Sequence, residues 1–469
     1  MNKRLLLAGL FVPIAVMGVL AFIVVRNSMR PVVRPELDTD SSSTASTGAD
    51  SAADLQSWEP GALGWNRFRG SNGTGTIEDA LLPNAWSEDT NLRWSTALTG
   101  DGSSSPVLSE RQVFLTSYEY EREGTGNVSA VTRYVSSYDR ETGERLWEQA
   151  IEGVLPEDPY IGNGLPEHGY ATNTPVVDQE HVYAFLGKSG VYCFTLAGEQ
   201  VWHRSVGTGS NPKGWGSCAS LILYGDYIIV NAAEESEAIL ALDRRTGEVI
   251  WKAESPDLHY AFGTPALVKA PNGSWELVVG LPKEVWGLNP DSGKLLWYAS
   301  TPIGGNQSPC VIVEDNLAYI YGGFRNVGSV CVAPGGRGDV SETHVKWTSK
   351  LTSYISSPVI IDGRALWIDD RGRCWSQDVL TGEELSRGRL PVRISGRVTY
   401  ASMLSLNGDL LIQTRYDGNL VLTSDGSFEL LHHNQLDDES MSNATPAAGG
   451  GQLFLRTDDN LHCIQASSS

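Results

Sequence analysis

Asp369-Asp370 and Asp437-Asp438-Glu439 are the tight acidic clusters of this chain. Grouped carboxylates can hold calcium, but a dedicated calcium loop alternates its oxygen donors along the chain, and neither cluster has that spacing. Both read as solvated loops. The six cysteines (Cys193, Cys218, Cys310, Cys331, Cys374 and Cys463) form no CxxC, no CxxCH and no adjacent pair. That argues against zinc, c-type haem and a redox dithiol. His181, His259 and His344 have no partner at ligand spacing, and no G-x-S-x-G marks a nucleophile. The stretch WNRFRGSNGTG at 65–75 sets Arg67 and Arg69 among glycines, a composition that can bind phosphate. It neither follows a strand nor opens a helix, so it is expected to be a loop packing Trp65 and Phe68 on an outer wall. Neither a catalytic residue nor a metal site is expected.

The elements that must position these side chains are repeated. ALDRRTGEVIW at 241–251 returns as SYDRETGERLW at 137–147 and GLNPDSGKLLW at 287–297, with weaker copies TLAGEQVW at 195–202 and SQDVLTGEEL at 376–385. Each reads as a strand, a tight turn on Asp and Thr-Gly or Ser-Gly, and a strand ending in Trp. A second marker precedes each hairpin: small polar residues, Pro, then an aliphatic run, as in SSSPVL, TNTPVV and ISSPVII. The Pro or its equivalent falls at 106, 175, 220, 265, 309, 358, 403 and 446, so successive spacings are 69, 45, 45, 44, 49, 45 and 43. A period in the forties holding four short strands is that of a propeller blade. The long first interval carries an insertion at about 152–170.

Eight marks predict an all-β fold: an eight-bladed β-propeller of four-stranded antiparallel blades. The last blade lacks a fourth strand, and NLRWSTAL at 91–98 is a fourth strand without a blade. Their pairing is expected to close the ring and remove the exposed edge. Trp94, Trp147, Trp202, Trp251, Trp297 and Trp347 then end outer strands and pack between blades. Cys193, Cys331, Cys374 and Cys463 share one strand position in different blades, too far apart to bridge.

The 469 residues carry a net charge of −21, which argues against a nucleic-acid partner. Residues 5–25 hold no charge and are long enough to span a bilayer, with no small-residue cleavage site following. A signal anchor is expected over 1–30, with the large C-terminal domain outside the cytoplasm. A disordered Ser/Thr/Ala/Asp linker is expected over 31–57, a lead-in packing on the propeller over 58–90, and the propeller over 91–466.

The hairpin, the period and the eight copies together resemble the pyrroloquinoline quinone (PQQ)-type propeller repeat over roughly 91–465. The lead-in at 65–75 looks like one found before such propellers in many bacterial proteins, planctomycete ones among them. The resemblance implies one of two classes: quinoprotein dehydrogenases binding PQQ with calcium, or binding propellers such as the outer-membrane assembly factor BamB, which need no cofactor. The dehydrogenases carry an adjacent Cys-Cys pair and long roofing insertions, and this chain has neither. BamB lacks this anchor and this lead-in.

In a propeller the first strands line a central channel, and residues before each Pro mark reach its mouth. Tyr170, Trp215, Tyr260, Tyr354 and Tyr400 are therefore the candidate ligand-binding residues, with Asp101, His168 and Asn306 adding polarity. The expectation is a membrane-anchored, non-catalytic propeller that binds a protein or peptide in the cell envelope. The alternative is a small quinoprotein oxidoreductase holding PQQ and calcium in the funnel.

Overall fold

The computed structural model describes residues 31–38 and 64–467, apart from 125, 325 and 395. Contacts divide the chain into Met1–Arg34 and Pro35–Ser469, and every described strand lies in the second unit. The expected anchor at 1–30 and most of the linker lie outside the described residues. Among those described, no helix is long and apolar enough to cross a membrane.

The described strands form eight sheets, six of four strands and two of five. Within the sheets, successive strands are antiparallel neighbours. In the third sheet Ile222–Tyr224, Tyr227–Ala232, Ala238–Asp243 and Val249–Glu254 lie in chain order. The all-β architecture is that of a propeller. Ring closure is direct: Leu92–Ala97 pairs antiparallel with Asn460–Gln465, completing the last sheet. Both ends of the propeller chain thus share one sheet, with Leu92–Ala97 covering the edge that Asn460–Gln465 would otherwise expose.

A girdle of hydroxyls joins the innermost strands. The backbone N–H of Ser105 donates to Thr174 Oγ1 at 3.0 Å, that of Thr174 to Ser220 Oγ at 3.1 Å, and that of Ser220 to Thr264 Oγ1 at 2.9 Å. From the fifth sheet on the pattern resumes through Cys310, Ser357, Ser402 and Thr445, and Thr445 N–H returns to Ser105 Oγ at 3.0 Å. Between Thr264 and Ser357 the step changes, and Val311 N–H donates to the Thr264 carbonyl instead. This explains the small polar residue before Pro106, Pro175, Pro358 and Pro446: Pro has no N–H, so the residue ahead of it donates to the neighbouring sheet. It also moves the third mark. Ser220 is the hydroxyl residue, so Leu221 rather than position 220 stands in the place of Pro.

The Thr-Gly hairpin has two partners. Inside the turn, Asp243 Oδ1 accepts from the N–H groups of Arg245 and Thr246. Across the gap, Trp202 of the preceding sheet donates its indole N–H to the Arg244 carbonyl at 3.0 Å. A Cβ on Gly247, whose φ is +71°, would stand 2.6 Å from that ring. The same contact joins Trp94 to Arg140, Trp147 to Leu196, Trp251 to Pro290 and Trp347 to Val379. Glycine is required twice over, by the turn's left-handed backbone and by the neighbour's Trp. Trp297 is the exception: it donates to the buried Glu276 Oε2 at 2.7 Å, because the fifth sheet has no Thr-Gly turn to receive it. All six cysteines are free, five of them buried.

Two chain segments add to the ring. Of the 31–57 stretch, residues 31–38 are described, and Leu37 bridges in parallel to Leu295 on the outer strand Leu295–Ser300. Asp38 N–H donates to the Leu295 carbonyl at 2.8 Å, and Leu295 N–H to that of Glu36 at 3.0 Å. An outer strand offers unpaired backbone groups, and even a short extended segment satisfies them.

The lead-in departs from its expected place. Instead of lying on an outer wall it crosses the end of the central channel. The Trp65 carbonyl accepts from Leu108 and the Asn66 carbonyl from Val177, both on inner strands of the first two sheets. Arg69 reaches the far side, donating to the Ser357 and Pro358 carbonyls at 3.0 and 2.7 Å, while its own loop supplies Gly73 and Thr74 carbonyls. Thr76–Ile77 then pairs in parallel with the inner strand Leu404–Leu406. Both arginines are buried, and burial lowers Arg67 to about 10. Their glycines make room: a Cβ on Gly75 would meet the Arg69 guanidinium at 2.8 Å. The arginines of 65–75 are thus consumed by carbonyls of the protein itself.

Candidate functional site

Antiparallel order puts two kinds of connection on opposite faces of the ring. The Thr-Gly turns share one face with the lead-in. The turns between second and third strands, and the connections from sheet to sheet, share the other. On this second face the channel opens into a cavity of about 790 Å³, whose lining includes Phe68 of the lead-in. The hydroxyls of Ser105, Ser220, Thr264, Ser357, Ser402 and Thr445 line the wall.

Of the five aromatic candidates, Trp215, Tyr354 and Tyr400 line the cavity. Tyr260 stands at its edge, its ring 4.9 Å from Lys213 Nζ. Tyr170 is elsewhere: it is buried against Tyr118 and Tyr160, and its hydroxyl donates to the Asp158 carbonyl. The insertion at 152–170 wraps it there, with Glu157 paired to Arg133 at 2.6 Å and Asp158 to Lys188 at 3.4 Å. Among the polar candidates, His168 and Asn306 line the cavity, whereas Asp101 pairs by backbone with Tyr118.

Sequence reasoning missed Lys213, Phe324 and Trp375. Lys213 Nζ lies 4.0 Å over the Trp215 ring and 5.9 Å from Phe324, and burial among the rings lowers its pKa. Trp375, on Arg373–Asp378, also lines the wall. The signal that could have found Phe324 was topological, since the second-to-third-strand turn falls on the same face as the residues preceding each mark. On the far side Arg415 covers Tyr400 at 4.6 Å and pairs with Glu167 at 2.9 Å.

The Trp215 loop is held from behind. His168 Nε2 donates to the Trp215 carbonyl at 3.0 Å, and burial lowers this imidazole to about 4, so it is neutral. The short helix Ala233–Ser236 presents two adjacent buried acids: Tyr260 N–H donates to Glu234 Oε1 at 3.1 Å, and Gly209 N–H to the Glu235 carbonyl at 2.8 Å. Burial raises Glu234 to about 7 and Glu235 to about 8.

The donor set does not suit calcium. Each carboxylate of the lining is tied to an arginine: Asp369 to Arg373 at 2.6 Å, Asp370 to Arg397 at 3.2 Å, and Glu167 to Arg415. Among the described residues no three His, Cys, Asp or Glu side chains converge as metal ligands. Of the acidic cluster at 437–439, Asp438 instead accepts from Ser440, Thr457 and Asn460 and contacts His462 Nε2 at 3.0 Å. Although burial opposes its charge, these donors hold that carboxyl well below the usual range.

Comparison with known proteins agrees with this architecture. No curated protein sequence matches the chain. Among solved structures, BamB from Moraxella catarrhalis superposes with a TM-score of 0.56 at 14% identity, covering 81% of this chain and 98% of that one. A computationally designed protein, Ika8, gives 0.49 at 12% identity over 79% and 98%. A europium-containing methanol dehydrogenase gives 0.45 at 12% identity over 79% and 92%. Such identities speak to the fold alone. The family model described as outer membrane protein assembly factor BamB matches residues 131–388, more than half of the chain. The repeated hairpins and the closed ring of sheets are what that match reads, and the chain belongs to this PQQ-like β-propeller family.

Proposed function

We propose that this protein is a non-catalytic, eight-bladed binding propeller of the cell envelope, holding a protein or peptide partner in the mouth of its channel. The observation that carries this reading is the cavity of about 790 Å³ itself, with the lead-in at its far end and aromatic and cationic side chains around its mouth. A pocket of that size with a few placed polar groups suits recognition. Its hydroxyls are engaged in the girdle and its carboxylates in arginine pairs, so neither is poised as nucleophile or metal ligand. Membership of the BamB-described family supports an envelope setting, with residues 5–25 as the anchor and the propeller on the periplasmic side. A photocrosslinking residue placed at Tyr354 or Trp215 should capture a reproducible partner in intact envelopes. The same residue at Val249, exposed on an outer strand, should not. Equal capture at both places would end this reading. The quinoprotein alternative has its own test: PQQ with calcium, added to the purified protein, should leave dye-linked alcohol oxidation at background. Tight quinone binding with turnover would overturn the non-catalytic reading.

A further inference from the structure

The cavity's charge runs against that of the chain. The protein carries −21 overall, yet the lining collects Lys213, Lys350, Arg371, Arg373 and Arg397 against Glu167, Asp369 and Asp370. Those three acids are already paired with arginines. Among the described residues Lys213, Lys350 and Arg371 face the cavity with no carboxylate partner. Cations gathered around one cleft raise the local concentration of anions beyond what the same charges achieve scattered over a surface.

The wall adds a second, independent demand. Asn306 and Asn443 line the cavity and are 2% and 9% exposed. Each spends its amide N–H inside the protein, Asn306 on Ser308 Oγ at 3.3 Å and Asn443 on the Glu167 carbonyl at 2.7 Å. Each amide oxygen is left buried without a hydrogen-bond partner. A buried acceptor left unmet forfeits its hydration without recompense, so a ligand bringing N–H donors is favoured.

Resting on the binding-propeller reading, we propose that the cavity takes an acidic peptide segment of the partner, its carboxylates on Lys213, Lys350 and Arg371 and its backbone N–H groups on Asn306 and Asn443. A simple anion meets the cations but not the buried acceptors. An extended peptide meets both at once. The rings form separate walls, Trp215 beside Phe262 and Phe324 tilted 42° to Tyr354, which suits individual apolar side chains better than one flat sugar face.

The test uses the full-length protein and three probes: a fluorescein-labelled Asp/Glu-rich octapeptide with one Trp, its Lys-substituted counterpart, and a sulfated heparin fragment. The acidic peptide should bind at least tenfold tighter than the Lys peptide, and weaken several-fold between about 50 and 200 mM salt. The double variant Lys350→Glu, Arg371→Glu should lose at least tenfold, with its thermal melt unchanged because both side chains are exposed. Asn306→Leu should weaken the acidic peptide without altering the salt slope. Indifference to the charge reversal, or tighter binding of heparin, overturns the inference. The two levels separate in crosslinking from Tyr354: a partner captured there regardless of Lys350→Glu, Arg371→Glu sinks the acidic-peptide inference alone, whereas no capture sinks the binding reading beneath it.

Discussion

The two faces of the ring are built by opposite rules. On the turn face one contact recurs, with the fifth sheet as its exception: Asp caps the turn, glycine bends it, and a Trp from the preceding sheet closes the gap. On the mouth face, beyond the hydroxyl girdle, the side chains do not repeat. The connections differ in length, cations stand without carboxylate partners, and two amide oxygens are unmet. Repetition is what a ring of equivalent sheets requires, and it fixes each side chain by one local job. Irregularity is what recognition requires, because a ligand of low symmetry needs different groups around one cavity. The lead-in joins the two faces, presenting Arg69 to the ring's own carbonyls and Phe68 to the cavity.

On that contrast, damage to the turn face should cost stability and damage to the mouth should not. The largest effect is expected from Arg69→Ala, which strips two carbonyls across the channel and two of its own loop of their donor. A loss of about 3–5 kcal/mol in denaturant unfolding is expected, and one below about 1 kcal/mol would deny the lead-in any role in holding the ring. Gly247→Ala, which puts a methyl against the Trp202 ring at a positive φ, should cost about 1–3 kcal/mol in the same assay. Trp251→Phe keeps an aromatic side chain but is smaller and lacks the N–H that reaches the Pro290 carbonyl, and should cost about 1–2 kcal/mol.

The acids behind the Trp215 loop sharpen the comparison through pH. Glu234 and Glu235 have folded pKa values raised to about 7 and about 8, above those of the unfolded chain. Between about pH 4.5 and 8 the folded state therefore binds more protons, so stability falls as pH rises through that window. Glu235→Gln should raise Tm by roughly 2–4 °C at about pH 8.5 and by little at about pH 5. A gain equal at both pH values would contradict a buried, proton-holding carboxyl. The smallest stability effect belongs to the mouth: Phe324→Ala, at an exposed ring, should change unfolding by less than about 0.5 kcal/mol while reducing crosslinked partner from Tyr354.

Legibility in the sequence follows the same divide. Turn glycines, rim Trp residues, hydroxyl-Pro marks and the closing strand at 91–98 were readable, because each acts on neighbours at a fixed chain offset or a fixed period. The shift of the third mark to Leu221 shows the limit: SCASLIL has no Pro, and only the Ser220 hydroxyl's partners locate the register. Tyr170 stands five residues before its mark and Trp215 six before the shifted one, yet the insertion buries the first against Tyr160 and leaves the second at the cavity. Offset decides the face of the ring, and the irregular connections decide what remains exposed there.

The sequence by itself determined the repeating unit, its period, the strand that closes the last sheet and the absence of a paired-cysteine chemistry, since these depend on local turns and on spacing. Only the tertiary structure decided that 65–75 crosses the channel, that Glu36–Asp38 rides on an outer strand, and that Lys213 joins Trp215 beneath Phe324. Those arrangements bring together residues far apart in the chain with no period to link them. Their geometry is set by which carbonyls and rings the closed ring leaves unmet.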